Sequence, residues 1–195
     1  MLLAICIIFL GFSYSCLDIG WYFIILRHAK IYYTMPGSTS SRIDFNEPIP
    51  EMIERLKREH RNFESRLDKV DNSINRDNDI VDGMRIIRNM SEAIIHHAVE
   101  EEARLIRVIM QNAKDESSES IKIMQEHNWV LNFFKNKLTS TEDRKTYLKS
   151  QAEGEEEYNK QAKKELNEFV ANLRSHFLEE EQIVFPLALR ANLLS

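Results

Sequence analysis

Apolar residues recur at helical spacing through most of the chain after Pro48. Steps of three and four predict an amphipathic helix from about Pro50 to Val70, and Pro48 and Pro50 suit its first turn. The apolar stripe of this helix also contains a histidine and consists of Ile53, Leu56, His60, Phe63, Leu67 and Val70. The polar stretch 71–79 predicts a loop, after which a second helix follows over about residues 80–111.

The second half of the chain repeats this arrangement. The polar stretch 112–120 leads into a third predicted helix over about residues 119–138. Its apolar stripe consists of Ile121, Met124, His127, Leu131, Phe134 and Leu138. Thr139 and Glu142 match a capping box that opens a fourth helical segment, which Gly154 is expected to kink or interrupt. The inward face of that segment consists of Ala162, Leu166, Phe169, Leu173, His176, Glu180, Ile183 and Leu187.

Short connections between long amphipathic helices predict an all-α fold, an up-down-up-down four-helix bundle. The composition agrees, because no proline lies between Pro50 and Pro186 and the only glycines in that interval are Gly83 and Gly154. A chain rich in strands would need more turn residues than this. We assign residues 49–195 to the bundle.

The N-terminal 26 residues form an apolar segment, interrupted only by Asp18 and a few hydroxyl groups. Its length suits one membrane-spanning helix of ~20 residues. A cleaved signal peptide fits less well, since no basic residue precedes the apolar run. Arg27, His28 and Lys30 follow it, which by the positive-inside rule places the bundle in the cytoplasm. One expectation is therefore a cytoplasmic bundle anchored in the membrane through residues 2–26.

A second expectation comes from Met35, which opens a polar stretch resembling a natural flexible N-terminus. If translation starts there, residues 1–34 are a mis-assigned upstream extension and the bundle has no anchor. In both cases residues 35–48 form a linker that leads into the first helix.

Charge and cysteine content narrow the classes of site that the bundle can carry. The formal charge is −5 and no run of basic residues is present, so we expect no nucleic-acid partner. Cys6 and Cys16 are the only cysteines and both lie in the apolar segment. A metal site in the bundle must therefore use nitrogen and oxygen ligands.

Four histidines and two glutamates lie on the apolar stripes at similar heights. The first and third predicted helices each carry one histidine on the stripe, and the second and fourth each carry His-x-x-x-Glu. With ~1.5 Å rise per residue and antiparallel neighbours, all six side chains reach one layer of the bundle. The six residues are His60, His97, Glu101, His127, His176 and Glu180.

Two carboxylates in an apolar layer need a compensating positive charge, yet no Lys or Arg occupies these stripe positions. Four imidazoles and two carboxylates without sulfur suit iron, manganese or zinc. Six protein ligands are too many for one catalytic zinc ion with an open position, and they suit two metal ions bridged by Glu101 and Glu180. The alternative is that the histidines are hydrogen-bonded core residues.

Neighbouring acidic and histidine residues compete with this assignment. His96 and Glu100 repeat the same spacing one residue earlier, but they are rotated by ~100° from the apolar face, so we expect them to flank it. The other glutamates in the runs 100–102, 155–157 and 179–181 are expected on solvated helix faces. Glu126 is the nearest further acid and is expected beside the ligands.

Four stretches of the chain resemble the hemerythrin-like (HHE cation-binding) family, whose members are four-helix bundles with a non-haem di-iron centre. They read ERLKREHRNFESRL, HHAVEEEARLI, QEHNWVL and HFLEEEQIVFPL. The last is the most specific, because its His, Glu-Glu and Phe-Pro stand at the family's spacing. The resemblance covers about residues 50–190. It implies two iron ions, held by His60, His97, Glu101, His127, His176 and Glu180.

The chain departs from oxygen-carrying hemerythrins in its third helix. Those proteins supply His-x-x-x-His there, whereas Leu131 stands four residues after His127. This implies one ligand fewer and a more open iron pair. The set of four histidines and two glutamates is similar to that of proteins that repair iron centres damaged by nitric oxide.

Three functional hypotheses follow. In the first, the di-iron centre binds a small diatomic gas, O₂ or NO, for sensing, iron handling or stress protection. In the second, the same centre is an enzyme acting on peroxide or NO, or donates iron to damaged iron centres. In the third, the bundle is a metal-free helical interaction module. The sequence assigns no catalytic residue and does not separate the first two hypotheses.

Overall fold

The computed structural model describes residues 43–138 and 155–194. These residues form helices and no β-strand, so the predicted all-α class is confirmed. Four long helices make up the bundle, and two short ones extend the second and the last of them. The helices are α1 (Ile49–Asp71), α2 (Ile80–Glu101), α3 (Arg107–Asn112), α4 (Ser117–Phe133), α5 (Glu155–Glu179) and α6 (Phe185–Asn192).

Several sequence predictions fall outside the described residues. They are the apolar segment 1–34, most of the linker 35–48, the capping box of Thr139 and Glu142, and Gly154. Within the described ranges, none of the helices combines the length and the apolarity needed to cross a membrane.

The first helix matches its predicted bounds to within one residue. Pro48 is the N-cap and Pro50 lies in the first turn, where a missing backbone N–H costs nothing. Every residue of the predicted apolar stripe of α1 is buried, including His60. The register that presents this histidine to the core is therefore confirmed.

The predicted loop 71–79 is mostly wrong, because α1 continues through a π-helical turn over Asn72–Arg76. This turn buries Ile74, which packs against the start of α2. A Cβ atom added at Gly83 would lie 2.6 Å from Ile74 Cγ2, so glycine permits the close approach of the two segments. The chain needs only residues 77–79 to reach α2.

Two further π-helical turns follow the His-x-x-x-Glu segments of the chain. They span Glu102–Ile106 after α2 and Glu180–Val184 after α5. A π-helical turn contains about one residue more than an α-helical turn, so the buried face shifts by one position beyond it. For this reason the prediction that Ile183 faces the core is wrong: Ile183 is 41% exposed, whereas Val184 is 2% exposed.

In α4, the third of the long helices, another predicted core residue is wrong. Ile121 is 44% exposed, while Ile123 is buried. At ~100° per residue, Ile121 lies about 120° from the face that carries His127, whereas Ile123 lies one turn before it. Leu131 and Phe134 are buried as predicted, and the side chain of Leu138 is outside the described part.

Candidate metal site

The structure brings the six predicted site residues together in the core. Each of these side chains is at most 5% exposed, although all of them are polar. They form two clusters that share carboxylates. The histidines of one cluster come from α1 and α2, and those of the other come from α4 and α5. The residues are His60, His97, Glu101, His127, His176 and Glu180.

The first cluster contains His60 from α1 and His97 from α2, whose Nε2 atoms lie 2.9 Å apart. Glu101 places Oε1 3.3 Å from His97 Nε2. Glu180 places Oε2 3.3 Å from His60 Nε2. One donor atom from each of the four side chains lies within 4.8 Å of all the others, which is a spacing that a metal ion can bridge.

The second cluster contains His127 from α4 and His176 from α5. Their Nε2 atoms lie 3.2 and 3.1 Å from Oε1 of Glu180, and these three side chains form a mutually close group. Oε2 of Glu101 lies 3.4 Å from His127 Nε2. Glu101 and Glu180 therefore each direct one oxygen to each cluster, as bridging ligands of two metal ions would.

Three of the four carboxylate oxygens at the centre are not satisfied by protein donors. Both oxygens of Glu101 and Oε2 of Glu180 are buried and accept no hydrogen bond from the described residues. A buried carboxylate oxygen without a partner is unfavourable unless a cation compensates it. The donor set of imidazole nitrogens and carboxylate oxygens thus fits a metal ion, and these buried groups could hold one.

Four further glutamates fix the histidines from behind. Each histidine places its Nδ1 atom 2.8–3.0 Å from one carboxylate oxygen. An ionised carboxylate only accepts hydrogen bonds, so Nδ1–H donates to it and Nε2 is the atom that faces the cluster, where it could bind a metal ion. Such carboxylate–histidine pairs orient metal ligands and raise their basicity. The pairs are His60–Glu181, His97–Glu59, His127–Glu102 and His176–Glu126.

These glutamates follow an internal repeat in the sequence. Glu59-His60 in α1 corresponds to Glu126-His127 in α4, and the segment HAVEEE (97–102) corresponds to HFLEEE (176–181). In both halves the glutamate before the single histidine holds the histidine of the following long helix. The last glutamate of each triplet holds the single histidine of the other half. The repeated Glu-His pair and Glu-Glu-Glu triplet were the available signal for these residues.

Glu126 lies beside the ligands as predicted, but its partner is His176 and not its neighbour His127. The hydrogen bond from His176 lowers the pKa of Glu126, against the opposing effect of burial. Glu126 is therefore an ionised acceptor. Glu59, Glu102 and Glu181 have equivalent roles that sequence reasoning missed.

The flanking position predicted for His96 is consistent with the structure, since it is half-buried and its Nδ1 lies 3.9 Å from Glu100. The expectation that the glutamate run 100–102 is solvated is wrong, because Glu100 and Glu102 are both buried. Two nitrogens of Arg55 bind Glu100 at 2.7 and 3.0 Å, which compensates its charge.

Arg55 also binds Glu59 at 2.9 Å and so connects to the first cluster through His97. The internal repeat extends to this cation. Lys122 stands five residues before His127, as Arg55 does before His60, and it pairs with Glu179 and Glu126. The lysine is more exposed than the arginine, with 52% of its side chain accessible against 29%.

The pKa values of the histidines reflect the surrounding carboxylates. Burial alone would lower the pKa of His97, but Glu101 and Glu59 outweigh it and raise the value to about 10. For His176, burial is likewise outweighed by Glu180 and Glu126, which raise the pKa to about 9. Burial opposes ionisation of Glu180, yet its histidine neighbours hold its pKa well below the ordinary value. In the metal-free chain, protons compensate the carboxylates, and a bound metal ion would displace them.

The support for a metal site comes from the geometry of the two clusters. Comparisons with protein-family models, with curated proteins and with solved structures found no match. What the described residues establish is a four-helix bundle with buried histidine and glutamate clusters that could hold a metal ion.

Proposed function

We propose that this chain is a hemerythrin-like, up-down-up-down bundle with a non-haem di-iron centre that binds O₂ or NO. The observation that carries the proposal is the sharing of Glu101 and Glu180 between two histidine pairs. One oxygen of each carboxylate approaches each pair at 3.1–3.4 Å. Shared carboxylates are how proteins hold two metal ions close together.

Iron is the metal that best combines this donor set with the resemblance of the four helical stretches. Nitrogen and oxygen donors without sulfur also suit manganese and zinc. A di-iron centre supplies reversible coordination of a diatomic ligand and a change of oxidation state. His60, His97, His127 and His176 would hold the ions, with Glu101 and Glu180 between them.

Binding is a better match to the surroundings than catalysis that consumes several protons. Every histidine in the clusters has its Nδ1 atom on a glutamate, and those glutamates accept hydrogen bonds. The pKa of Glu126 is lowered by His176; that of Glu59 is lowered by His97 and Arg55 against burial. Neither of these carboxyl groups is therefore a protonated acid at neutral pH. This arrangement supports the proposed gas-binding role in sensing, iron handling or stress protection.

The first test is the metal content of protein purified gently from cells grown in iron-replete medium. We expect about two iron ions per chain, as measured by elemental analysis, because two histidine pairs share the carboxylates. A chain without iron, manganese or zinc would instead be a metal-free helical module.

The second test separates binding from catalysis. The anaerobically reduced, iron-loaded protein should change its visible spectrum when O₂ or NO is added, with slow or no turnover of peroxide. Rapid consumption of peroxide or NO in the presence of an electron donor would favour the enzyme. Transfer of iron to an apo iron–sulfur protein, with the bundle left empty, would favour a role in repair.

A further inference from the structure

The internal repeat allows the two clusters to be compared position by position. The residue three places after the single histidine is Phe63 in the first half and Val130 in the second. The residue after the histidine of the glutamate triplet is Phe177 in the second half and Ala98 in the first. All four side chains are buried, so the comparison concerns the core.

Aromatic rings close the first cluster. Phe177 stacks on His60 with ring centroids 4.5 Å apart, and Phe185 stacks on the same imidazole at 5.5 Å. Phe63 meets His97 edge-on at 5.5 Å and stacks on Phe177 at 5.6 Å. The two imidazoles therefore have rings against them on several sides.

The second cluster has less aromatic cover. Phe177 lies 5.9 Å from its chain neighbour His176 in a tilted orientation, and among the described residues no phenyl ring stacks on His127 or His176. The only aromatic ring found against His127 among the described residues is the imidazole of His176, at 4.9 Å. By the repeat, Ala98 takes the place at His127 that Phe177 takes at His60. Val130 replaces Phe63, and Leu131 lies one turn after His127 on the same face of α4.

The clusters also differ in their donors. In the first, His60, His97, Glu101 and Glu180 each offer one atom within 4.8 Å of the others. In the second, His127, His176 and Glu180 form such a group, while Oε2 of Glu101 lies 3.4 Å from His127 Nε2 but not within 4.8 Å of every other donor. An ion held by fewer protein donors keeps more of its coordination positions for an exogenous ligand.

We propose that the exogenous ligand binds the metal ion held by His127 and His176, and that Ala98 determines its access. This inference rests on the proposed function and specifies which half of the site is used. A small, uncharged diatomic molecule matches a position with aliphatic neighbours. The first cluster, with four donors and aromatic cover, has a structural role in holding its ion.

The test exchanges the two equivalent side chains. Ala98→Phe adds a ring beside His127, and Phe177→Ala removes the ring beside His60. Both iron-loaded proteins are reduced anaerobically and titrated with NO, with the visible spectrum as the readout and iron content measured in parallel. We expect Ala98→Phe to retain its iron and bind NO about tenfold or more weakly, while Phe177→Ala stays within about threefold of the wild type.

Leu131→His is a second variant for the case in which the larger ring at position 98 prevents folding. An imidazole one turn after His127 would add a donor to the second cluster, so iron should remain and NO binding should be lost. Unchanged NO affinity in the folded, iron-loaded Ala98→Phe or Leu131→His protein would overturn the inference. Weakened NO binding in Phe177→Ala alone would overturn it as well. If the inference fails in this way but the wild-type protein holds two iron ions and binds NO, the proposed function still stands. Wild-type protein that binds no iron would refute both the proposed function and the inference.

Discussion

Glu102 reaches from the π-helical turn after α2 to His127 on α4, and its Oε1 atom lies 3.0 Å from the Nδ1 atom of that histidine. Both side chains are at most 3% exposed. The other three carboxylates that hold imidazoles are 31–33% exposed. Water can replace those three in part, but it cannot easily replace Glu102.

Replacement of Glu102 by glutamine should weaken metal binding. The amide keeps the shape of the side chain but loses the charge that orients the imidazole and raises its basicity. Loss of such a partner typically lowers metal affinity by about 10–100-fold. Competition with a chelator measures the affinity. Glu92→Gln changes an exposed residue of α2; it is the control and should bind metal as the wild type does. Equal affinities of the two variants would contradict the role of Glu102.

Two adjacent histidines in α2 should respond differently to truncation. His97→Ala removes a donor from the first cluster and should lower the iron content. His96→Ala should retain the full iron content, because this side chain lies outside both clusters and is only half-buried. Elemental analysis of the two purified proteins decides the register of α2. Iron loss in the His96 variant with retention in the His97 variant would show that the register is wrong.

Glu180→Ala should empty both clusters, since Glu180 belongs to both groups of mutually close donors. The iron-loaded wild type should therefore melt at a higher temperature than this variant, as bound metal adds to folding stability. Glu179→Ala is the matched control on the neighbouring residue. It removes only a pair with the exposed Lys122, so we expect little loss of stability. Calorimetry gives the melting temperatures and elemental analysis gives the iron contents. Full iron content in Glu180→Ala as well as in Glu179→Ala would contradict the prediction.

The stability of the metal-free protein should fall as pH rises from 6.5 to about 10. The pKa of His97 is raised to about 10 and that of His176 to about 9, because nearby glutamates outweigh burial. A raised pKa contributes stability fully below the unfolded value, and this is lost as pH passes the folded value. The expected slope is on the order of 1 kcal/mol per pH unit for each group.

The measurement is chemical denaturation of chelator-treated protein across this pH interval. The metal-loaded protein is the control, and it should show a flatter profile because metal ions occupy the nitrogen atoms that would take up protons. A metal-free protein equally stable at both ends of the interval would contradict the paired arrangement of histidines and glutamates.

Arg55→Met should destabilise the bundle, because it leaves the buried carboxylate of Glu100 without its cation. Removing one partner of such a buried pair costs about 3–5 kcal/mol, and the partial exposure of Arg55 lowers our expectation to about 2–3 kcal/mol. Lys122→Met is the equivalent change in the other half of the repeat. Its pair is more exposed, so a much smaller loss of stability is expected for Lys122→Met than for Arg55→Met.

Urea denaturation of the two variants gives the comparison. Combining Arg55→Met with Glu100→Gln should recover part of the loss, since the uncompensated charge is then removed. A double variant less stable than Arg55→Met by the full cost of a second independent change would show that the two residues do not interact.

Local signals in the sequence were sufficient for the bounds of α1, for the start of α2 and for the burial of the six central residues. Pro48 and Pro50 mark the start of α1, and the apolar stripe sets the direction in which His60 points. Asp79, which accepts a hydrogen bond from the backbone of Asp82, marks the start of α2. Such signals involve residues close together in the chain, so they can be read from the order of apolar and polar residues.

The π-helical turns and the outer glutamates depend on contacts between distant segments. Val184 replaces Ile183 in the core because a π-helical turn widens the helix there, and no spacing of apolar residues announces this. Glu102 was assigned to solvent because an amphipathic pattern treats every glutamate as outward-facing. Its partner His127 is 25 residues away in the chain. Only the repeated glutamate triplets indicated that polar residues on two helices have matching roles.

The burial of both clusters has a consequence for how ions enter and leave. No donor side chain is more than 5% exposed, and the donors come from α1, α2, α4 and the end of α5. Exchange of an ion therefore requires motions that expose these donors, so we expect its release to be slow compared with release from a surface site. We therefore expect competition with a chelator to reach equilibrium slowly, at the pace of the motions that expose the clusters.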